Sequence, residues 1–334
     1  MSVNKSIQLG LCCINTELRS QKPTIFMSRS CTLKTVREKG LSIVKQKSLE
    51  NVRDILKMIE WNEANGIKVL RLSSNIFPHY SNPQIERYDL DFIKNDLIEV
   101  GNLAKKYNMR LTFHPGQYDV IGTPSSNVLQ NTILDLECHC NILDMMGMGA
   151  DSVVVIHGGG LYGDKGKTKE RWVENYNKLP DKIKRRLVLE NCEKCFHIDD
   201  CLELSNILNI PVVFDTHHYT CYKQLHHIES FKTEDYYIKA ILNTWTRKGI
   251  KPKFHVSEQG CGRIGHHSDY IQTIPEYLLE IPRKYGIAID IMIEAKMKEQ
   301  SITQLYKKYP YLNCKRNPNE ILEDINININ LSFI

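Results

Sequence analysis

The sequence predicts an α/β protein of the TIM (β/α)8-barrel class, and three observations carry that expectation. Short apolar runs alternate with helix-like stretches about eight times. The runs are apolar on both faces, as parallel strands covered by helices must be. Several of them end in a metal-ligand residue type, most clearly at His114, His157, Glu190, Asp215, His218, His255 and Glu294. In a closed barrel all strand C-termini share one rim, so positions as distant as 114 and 294 can meet at one site.

In chain order, the first strand is expected over 7–14. Apolar residues Val52, Ile55, Leu56 and Ile59 recur at helical spacing and predict a helix over 49–64, with Asn65-Gly66 as its C-cap signal. The second strand, 67–72, opens into Ser73-Ser-Asn-Ile-Phe-Pro-His79. The unit then repeats as helix 92–106, strand 110–113, helix 128–146, strand 152–156, helix 171–179, strand 186–189, helix 199–208 and strand 212–214. Helix 233–246, strand 252–254, helix 269–284, strand 288–293 and a last helix over 298–308 complete the pattern. A doubly wound open sheet would give the same periodicity, since patterning does not show closure. The expectation is one barrel domain over 1–310 and a C-terminal extension over 311–334, partly disordered because its Asn-Ile alternation lacks a core-forming pattern.

With 334 residues, 42% apolar and 25% charged, the chain can build one sizeable core. No stretch nears the roughly 20 apolar residues that cross a bilayer. Met1 to Lys5 lead straight into a strand-like run. Eleven scattered cysteines, an odd number, then fit reduced thiols in an intracellular protein, cytoplasmic or nuclear, that is not secreted. Cys192-Glu-Lys-Cys195 has the spacing of half a structural zinc site, but no second CxxC accompanies it. The net charge of +5 is unevenly placed: Arg19, Lys22, Arg29, Lys34, Arg37, Lys39, Lys45 and Lys47 crowd one early loop, which suits a polyanion.

Two glycine motifs imitate nucleotide sites. Gly166-Lys-Thr168 ends like a phosphate-binding loop, but Leu161 stands where its first glycine belongs. Gly260-Cys-Gly-Arg-Ile-Gly265 satisfies GxGxxG, yet His266-His267-Ser-Asp269 follows instead of an apolar helix start. No nucleotide cofactor is expected, and the second motif reads as a tight loop that lets backbone approach DNA.

Taken alone, any one of the strand-end histidines is more often an ordinary hydrogen-bonded residue. Their common place on one rim gives them weight. Imidazoles with carboxylates suit Zn²⁺ or Mn²⁺, whereas an all-oxygen set suits Mg²⁺ or Ca²⁺. The set is too large for one ion, and two or three ions within about 4 Å are the usual device of phosphodiester cleavage, activating water and neutralising charge.

These motifs, in order over residues 7–305, resemble the UV damage endonuclease family: Gly10-Leu-Cys-Cys-Ile-Asn15, Arg71-Leu-Ser-Ser, Phe77-Pro-His79, His114-Pro-Gly-Gln-Tyr118, His157-Gly-Gly-Gly160 with Tyr162-Gly-Asp-Lys165, Leu189-Glu-Asn191, Asp215-Thr-His-His218, His267-Ser-Asp269 and Glu294-Ala-Lys296. The resemblance implies a barrel related to endonuclease IV and the sugar isomerases. It implies His79, His114, His157, Glu190, Asp215, His218, His255, His267 and Glu294 as ligands of two or three divalent ions, Mn²⁺ first, with Zn²⁺ or Mg²⁺ as alternatives. Because His266 and His267 are adjacent, the last histidine ligand could slip by one position.

Glu190, Glu294, Lys253 and His255 are expected to carry the chemistry. A cationic lysine among metals would be repelled, so Lys253 is expected either to be carboxylated or to sit on the scissile phosphate. Gln117 and Tyr118 match the family's lesion-probing pair, and Asn15 matches a residue that contacts the displaced lesion. Arg19 and Arg29, in the basic loop, are expected on DNA phosphates. Leu11 departs from members that carry an aromatic there, which weakens a stacking role at that position.

The implied activity is a nick in damaged double-stranded DNA immediately 5′ to pyrimidine dimers and (6-4) products, with abasic sites as further substrates, by a monomer that needs no membrane. A sugar isomerase on the same barrel and a non-catalytic damage-binding protein are the rival readings.

Overall fold

The computed structural model describes residues 6–228 and 232–315. Its strands are β1 (Ile7–Cys12), β2 (Val69–Arg71), β3 (Arg110–Thr112), β4 (Val154–His157), β5 (Leu187–Glu190), β6 (Val212–Asp215), β7 (Lys253–Val256) and β8 (Ile289–Ile293). All pair in parallel in the order β3-β2-β1-β8-β7-β6-β5-β4. Phe113 brings the two free edges together. Its N–H donates to Val153 O and its carbonyl accepts from Val155 N–H, both at 3.0 Å. The expected barrel therefore forms, and the open sheet is set aside.

The helices are α1 (Thr16–Ser20), α2 (Leu33–Lys39), α3 (Leu41–Ala64), α4 (Lys94–Lys106), α5 (Ser126–Met145), α6 (Lys165–Asn177), α7 (Asp181–Lys184), α8 (Ile198–Leu208), α9 (Thr216–Leu225), α10 (Glu234–Thr246), α11 (Glu276–Leu279), α12 (Ile281–Tyr285) and α13 (Lys298–Lys308). Where they differ from the sequence expectation, local chemistry explains the difference. The basic stretch is largely helical rather than a loop, because Val44, Ser48, Val52, Ile55 and Ile59 continue one buried face and start α3 eight residues earlier than 49. The expected helix 269–284 is broken into α11 and α12. Pro275 and Pro282 each open a short helix, and Glu258 instead captures the N–H groups of Gln272 and Thr273 at 2.9 Å.

Helix α9 has no counterpart in the sequence expectation. Asp215 ends β6 and at once caps α9, accepting from the N–H groups of His217 and His218 at 2.8 and 2.7 Å. Gly166-Lys-Thr168 forms the first turn of α6 under an Asp164 cap, and the buried Thr168 hydroxyl donates to Leu161 O. Of the expected extension, residues 316–334 lie outside the described residues. Its first residues pack against the barrel: Leu312 is buried and Cys314 N–H donates to the Gly66 carbonyl.

Strand side chains alternate, so every second residue faces the barrel axis. At the bottom Arg110 pairs with Asp290 at 2.9 Å, both buried. In the middle Val69, Met292 and Gly10 meet, and Lys253 Nζ lies 3.4 Å from Thr112 Oγ1. At the top the same parity raises Cys12, Arg71, Glu190, Asp215, His255 and Glu294 to the C-terminal rim.

Outside the barrel, α4 and the end of α5 touch closely enough to demand glycine. A Cβ on Gly101 would lie 1.7 Å from Met146 O. Helix propensity favours Gly101→Ala by about 1 kcal/mol, but a backbone oxygen cannot retreat cheaply, so overpacking decides the sign. The variant should lose roughly 1–3 kcal/mol in urea unfolding, and a stabilised variant would contradict this packing.

Candidate metal centre

The site is built from the last residues of the strands. His157, Glu190 and Asp215 are the final residues of β4, β5 and β6, His255 is the penultimate residue of β7, and Glu294 directly follows β8. His114 follows the Phe113 bridge, and His218 stands on the first turn of α9. Glu190 is fully buried and is the hub. Its Oε2 lies 2.8 Å from His114 Nε2; its Oε1 lies 3.0 Å from His255 Nδ1 and 3.5 Å from His218 Nδ1. Glu294 Oε1 lies 3.3 Å from His255 Nδ1 and is ion-paired with Arg71.

Three ligand groups result: His114, Glu190 and His255; His157, Glu190 and His218; Asp215, His255 and Glu294. Their shared members make one centre rather than three. The donor atoms fit cations for a further reason. His157 Nδ1, Asp215 Oδ2 and His255 Nε2 are buried without a hydrogen-bond partner among the described residues, a cost that a bound cation would remove. Imidazole with carboxylate suits a divalent first-row or similar ion and does not single one out.

Electrostatics prepares the donors. Burial pushes His157 and His255 down to about 4, leaving both as neutral imidazoles, the form that coordinates. Burial opposes ionisation of Glu190, but His255, His157 and His114 hold its carboxyl well below the usual range. Burial likewise opposes Glu294, and Arg71 overcomes it. His218 is the exception: despite burial, Asp215 and Glu190 hold it above the ordinary histidine range.

Other expected site residues fall at different depths. Tyr118 is 65% exposed on the loop after β3, with Gln117 exposed beside it, and the Tyr118 ring lies across Gly116. His267 borders the centre, its ring 6.4 Å from that of His218. Lys253 lies beneath the centre; burial, with Arg71 and Arg110 nearby, lowers its amine to about 8. His79 is outside the three groups, its Nε2 2.7 Å from Cys31 O.

Asn15 is buried and caps α1, accepting from Leu18 N–H at 2.9 Å, while its Nδ2 has no hydrogen-bond partner among the described residues. Leu11 is fully buried in β1. Arg19 is exposed beside the Phe26 ring. Arg29 is turned inward, its guanidinium on Asp54 at 2.6 Å and stacked on Phe26. That commitment fixes the segment before α2 to α3.

Sequence reasoning missed three contributors. Arg71 stood in a quoted motif without a role; its parity with Val69, two residues earlier on β2, points it to the axis. Asn191 ties β5 to β6, its side chain exchanging hydrogen bonds with the Asp215 backbone at 2.9 and 3.0 Å, and its backbone carbonyl lies 3.1 Å from His218 Nδ1. The third is a buried carboxyl pair, Asp119 with Asp135, backed by His139 and Ser81. His139 Nδ1 lies 3.2 Å from Asp135 Oδ2 and favours its ionised form, while burial and the Asp135 charge keep Asp119 as the protonated member of the pair. The pair, with Val120 N–H on Thr132 Oγ1, pins the Tyr118 loop to α5.

Above the centre opens a cavity of about 410 Å³ lined by His114, Gln117, His157, Gly160, Glu193 and His218. The family model described as UV-endonuclease UvdE matches residues 7–322. The chain belongs to the UV-endonuclease UvdE family. The UV-damage endonuclease of Schizosaccharomyces pombe is 40% identical over 317 residues, spanning 92% of this chain and 51% of that protein. The chain thus covers about half of that relative's length. The crystal structure of SacUVDE is 27% identical with a TM-score of 0.78, covering 92% of this chain and all of the other. Endonuclease IV from Thermus thermophilus, 14% identical with a TM-score of 0.54 over 91% of this chain and 98% of its own, shares the fold. Membership makes this barrel a nuclease acting on DNA phosphodiester bonds. Among the described residues no helix is long and apolar enough to cross a membrane.

Two outcomes test this electrostatic reading. A cation reaching His218 must displace the proton held there, so Mn²⁺ titrated calorimetrically in buffers of different ionisation enthalpy should release protons and bind more tightly as pH rises. Heat independent of buffer would contradict it. Burial, then the Asp135 charge, pushes Asp119 up to about 9, so folding takes up a proton and stability falls as pH rises toward that value. Asp119→Asn needs no proton to face Asp135, and its melting temperature should fall less than that of the parent across roughly pH 6 to 9.

Proposed function

We propose that this chain is a metal-dependent repair endonuclease that nicks the damaged strand of duplex DNA immediately 5′ to a UV photoproduct, leaving a 3′-hydroxyl and a 5′-phosphate. Its substrates are cyclobutane pyrimidine dimers and (6-4) products, with abasic sites in addition. The observation that carries the reading is the pairing of a three-group ligand centre with an exposed aromatic and amide, Tyr118 and Gln117, on the adjoining rim loop.

The three groups named above would hold two or three divalent ions, Mn²⁺ first and Zn²⁺ or Mg²⁺ as alternatives, with His267 at their border and His79 joining on release from Cys31 O. Such ions would acidify a water and neutralise charge on the attacked phosphodiester. The protein's own work is to fix the donors. Glu190 holds the surrounding imidazoles in register, and Arg71 keeps the Glu294 carboxylate ionised and aimed. Lys253, with its lowered amine, fits the neutral form that can be carboxylated; mass spectrometry of the intact chain tests that modification.

Gln117 and Tyr118 would fill the gap left when damaged bases leave the stack, and Asn15 would meet the displaced lesion from below. An unstacked lesion costs less to extrude than an intact pair, which supplies selectivity without reading sequence. Arg19 and the exposed cations Lys34, Arg37 and Lys39 of α2 would grip backbone phosphates. The protein would act as a monomer inside the cell, in the cytoplasm or nucleus, without a nucleotide cofactor.

The deciding experiment is a denaturing gel of a 5′-labelled duplex carrying one cyclobutane dimer, beside the undamaged duplex, with Mn²⁺ and with chelator. A single metal-dependent cut on the 5′ side of the dimer is expected. Damage-specific binding without a cut would favour a binding protein instead. Glu190→Gln and Glu294→Gln should each lower nicking on the order of 10²-fold or more, since even outer-shell partners of metal ligands cost 10- to 100-fold, while much of the binding to damaged duplex survives. Tyr118→Ala should weaken binding of the damaged duplex by about 1–3 kcal/mol and leave undamaged duplex almost unchanged.

A further inference from the structure

The proposed function leaves Cys192 and Cys195 unused, although both border the cavity above the metal centre. Cys192 follows Glu190-Asn191 at the end of β5 and is buried, whereas Cys195 is partly exposed. The intervening turn is closed tightly. Cys192 Sγ accepts from the N–H groups of Cys195 and Phe196, both at 3.2 Å, and Cys192 N–H donates to Phe196 O at 2.9 Å. Among the described residues none of the convergent ligand groups includes a cysteine.

The turn is mechanically connected to a metal ligand. Phe196 is fully buried with its ring flat against Gly158, where a Cβ would lie 2.2 Å from a ring carbon. Gly158 directly follows His157. A shift of the 192–196 turn therefore has no slack to spend before it moves the backbone that carries His157.

We propose that Cys192 and Cys195 are a reversible dithiol switch, whose oxidation to a disulfide by a low-molecular-weight disulfide reshapes this wall, displaces His157 and weakens metal binding. The reaction balances as thiol–disulfide exchange. Cys195 sulfur attacks the small disulfide, its S–S bond breaks, and one small thiolate leaves. Cys192 sulfur, losing its proton to solvent, then attacks the Cys195 sulfur of the mixed disulfide and expels the second thiolate. The protein loses two electrons and the small disulfide becomes two thiols. Cys195 is fitted to attack first, being the accessible partner. The ammonium groups of Lys165 and Lys194 stand near enough to favour its thiolate.

The test uses the full-length metal-loaded protein, equilibrated anaerobically in glutathione buffers of rising oxidised fraction, then alkylated and digested. The expected result is a peptide joining Cys192 to Cys195 that disappears on treatment with dithiothreitol, together with a loss of Mn²⁺ affinity of at least roughly tenfold in the oxidised protein. In Cys195→Ser the ratio of oxidised to reduced Mn²⁺ affinity should stay near one, whatever the variant's basal affinity. Alkylation of both cysteines at the most oxidising buffer would overturn the switch, as would a disulfide that leaves Mn²⁺ affinity unchanged. Its effect on nicking rests on the endonuclease reading. A reduced parent protein that nicks no damaged duplex would count against that reading, while the disulfide and Mn²⁺ readouts would still decide the switch.

Discussion

Glu190 is a fully buried carboxylate, surrounded by imidazoles from the ends of β3, β4 and β7 and from α9, and the rest of the rim is arranged around it. Burying an ionised carboxylate costs several kcal/mol unless it is paired and hydrogen-bonded. In this barrel the compensation comes from His114, His218 and His255, which reach it from separate elements. Because those elements are strand ends fixed by a continuous ladder, the donors are held by the fold rather than by flexible loops. The one donor on a helix, His218, is held there because Asp215 caps α9 with one oxygen and leaves the other free for the centre.

Charge is managed in layers along the axis. Arg110 and Lys251 meet Asp290 at the floor, Lys253 lies buried above them against Thr112, and Arg71 with Glu294 forms the upper pair. The upper pair is unequal in purpose. Arg71 stabilises a carboxylate that also faces His255, so it tunes a candidate ligand while bridging β2 and β8 across β1. A cation placed so near a metal centre also limits how many positive charges the carboxylates there can accept.

Much of this was legible in the sequence. All eight strands fall near their expected positions because short apolar runs mark the period, and several of them, ending in His, Asp or Glu, mark the rim as well. The nine expected ligands include all seven residues of the three groups, since ligand chemistry at a strand end is visible locally. What escaped depends on contacts between distant residues. Arg71 meets Glu294 across 223 positions, and nothing near either residue announces the other. Asp119 and Asp135 look like ordinary surface acids until the loop folds onto α5. Arg29 looked like a surface cation because Asp54, its partner, stands 25 residues further along on α3. Helix α9 was hidden because its cap is itself a ligand-type residue, so Asp215-Thr-His-His218 read as a strand end.

The anchoring of the Tyr118 loop has a mechanical consequence. Its Asp119–Asp135 contact, the Thr132 hydrogen bond and the Gly122 and Ile121 carbonyls held by Arg171 and Asn175 leave little compliance beneath the exposed ring. A stiff probe makes the duplex the part that must bend. On the proposed function, discrimination would then be set by the elastic cost of the DNA step rather than by the shape of any one adduct. Lesions of unrelated chemistry would be treated alike wherever they soften the helix by a similar amount, and a bulky adduct that stiffened it would escape.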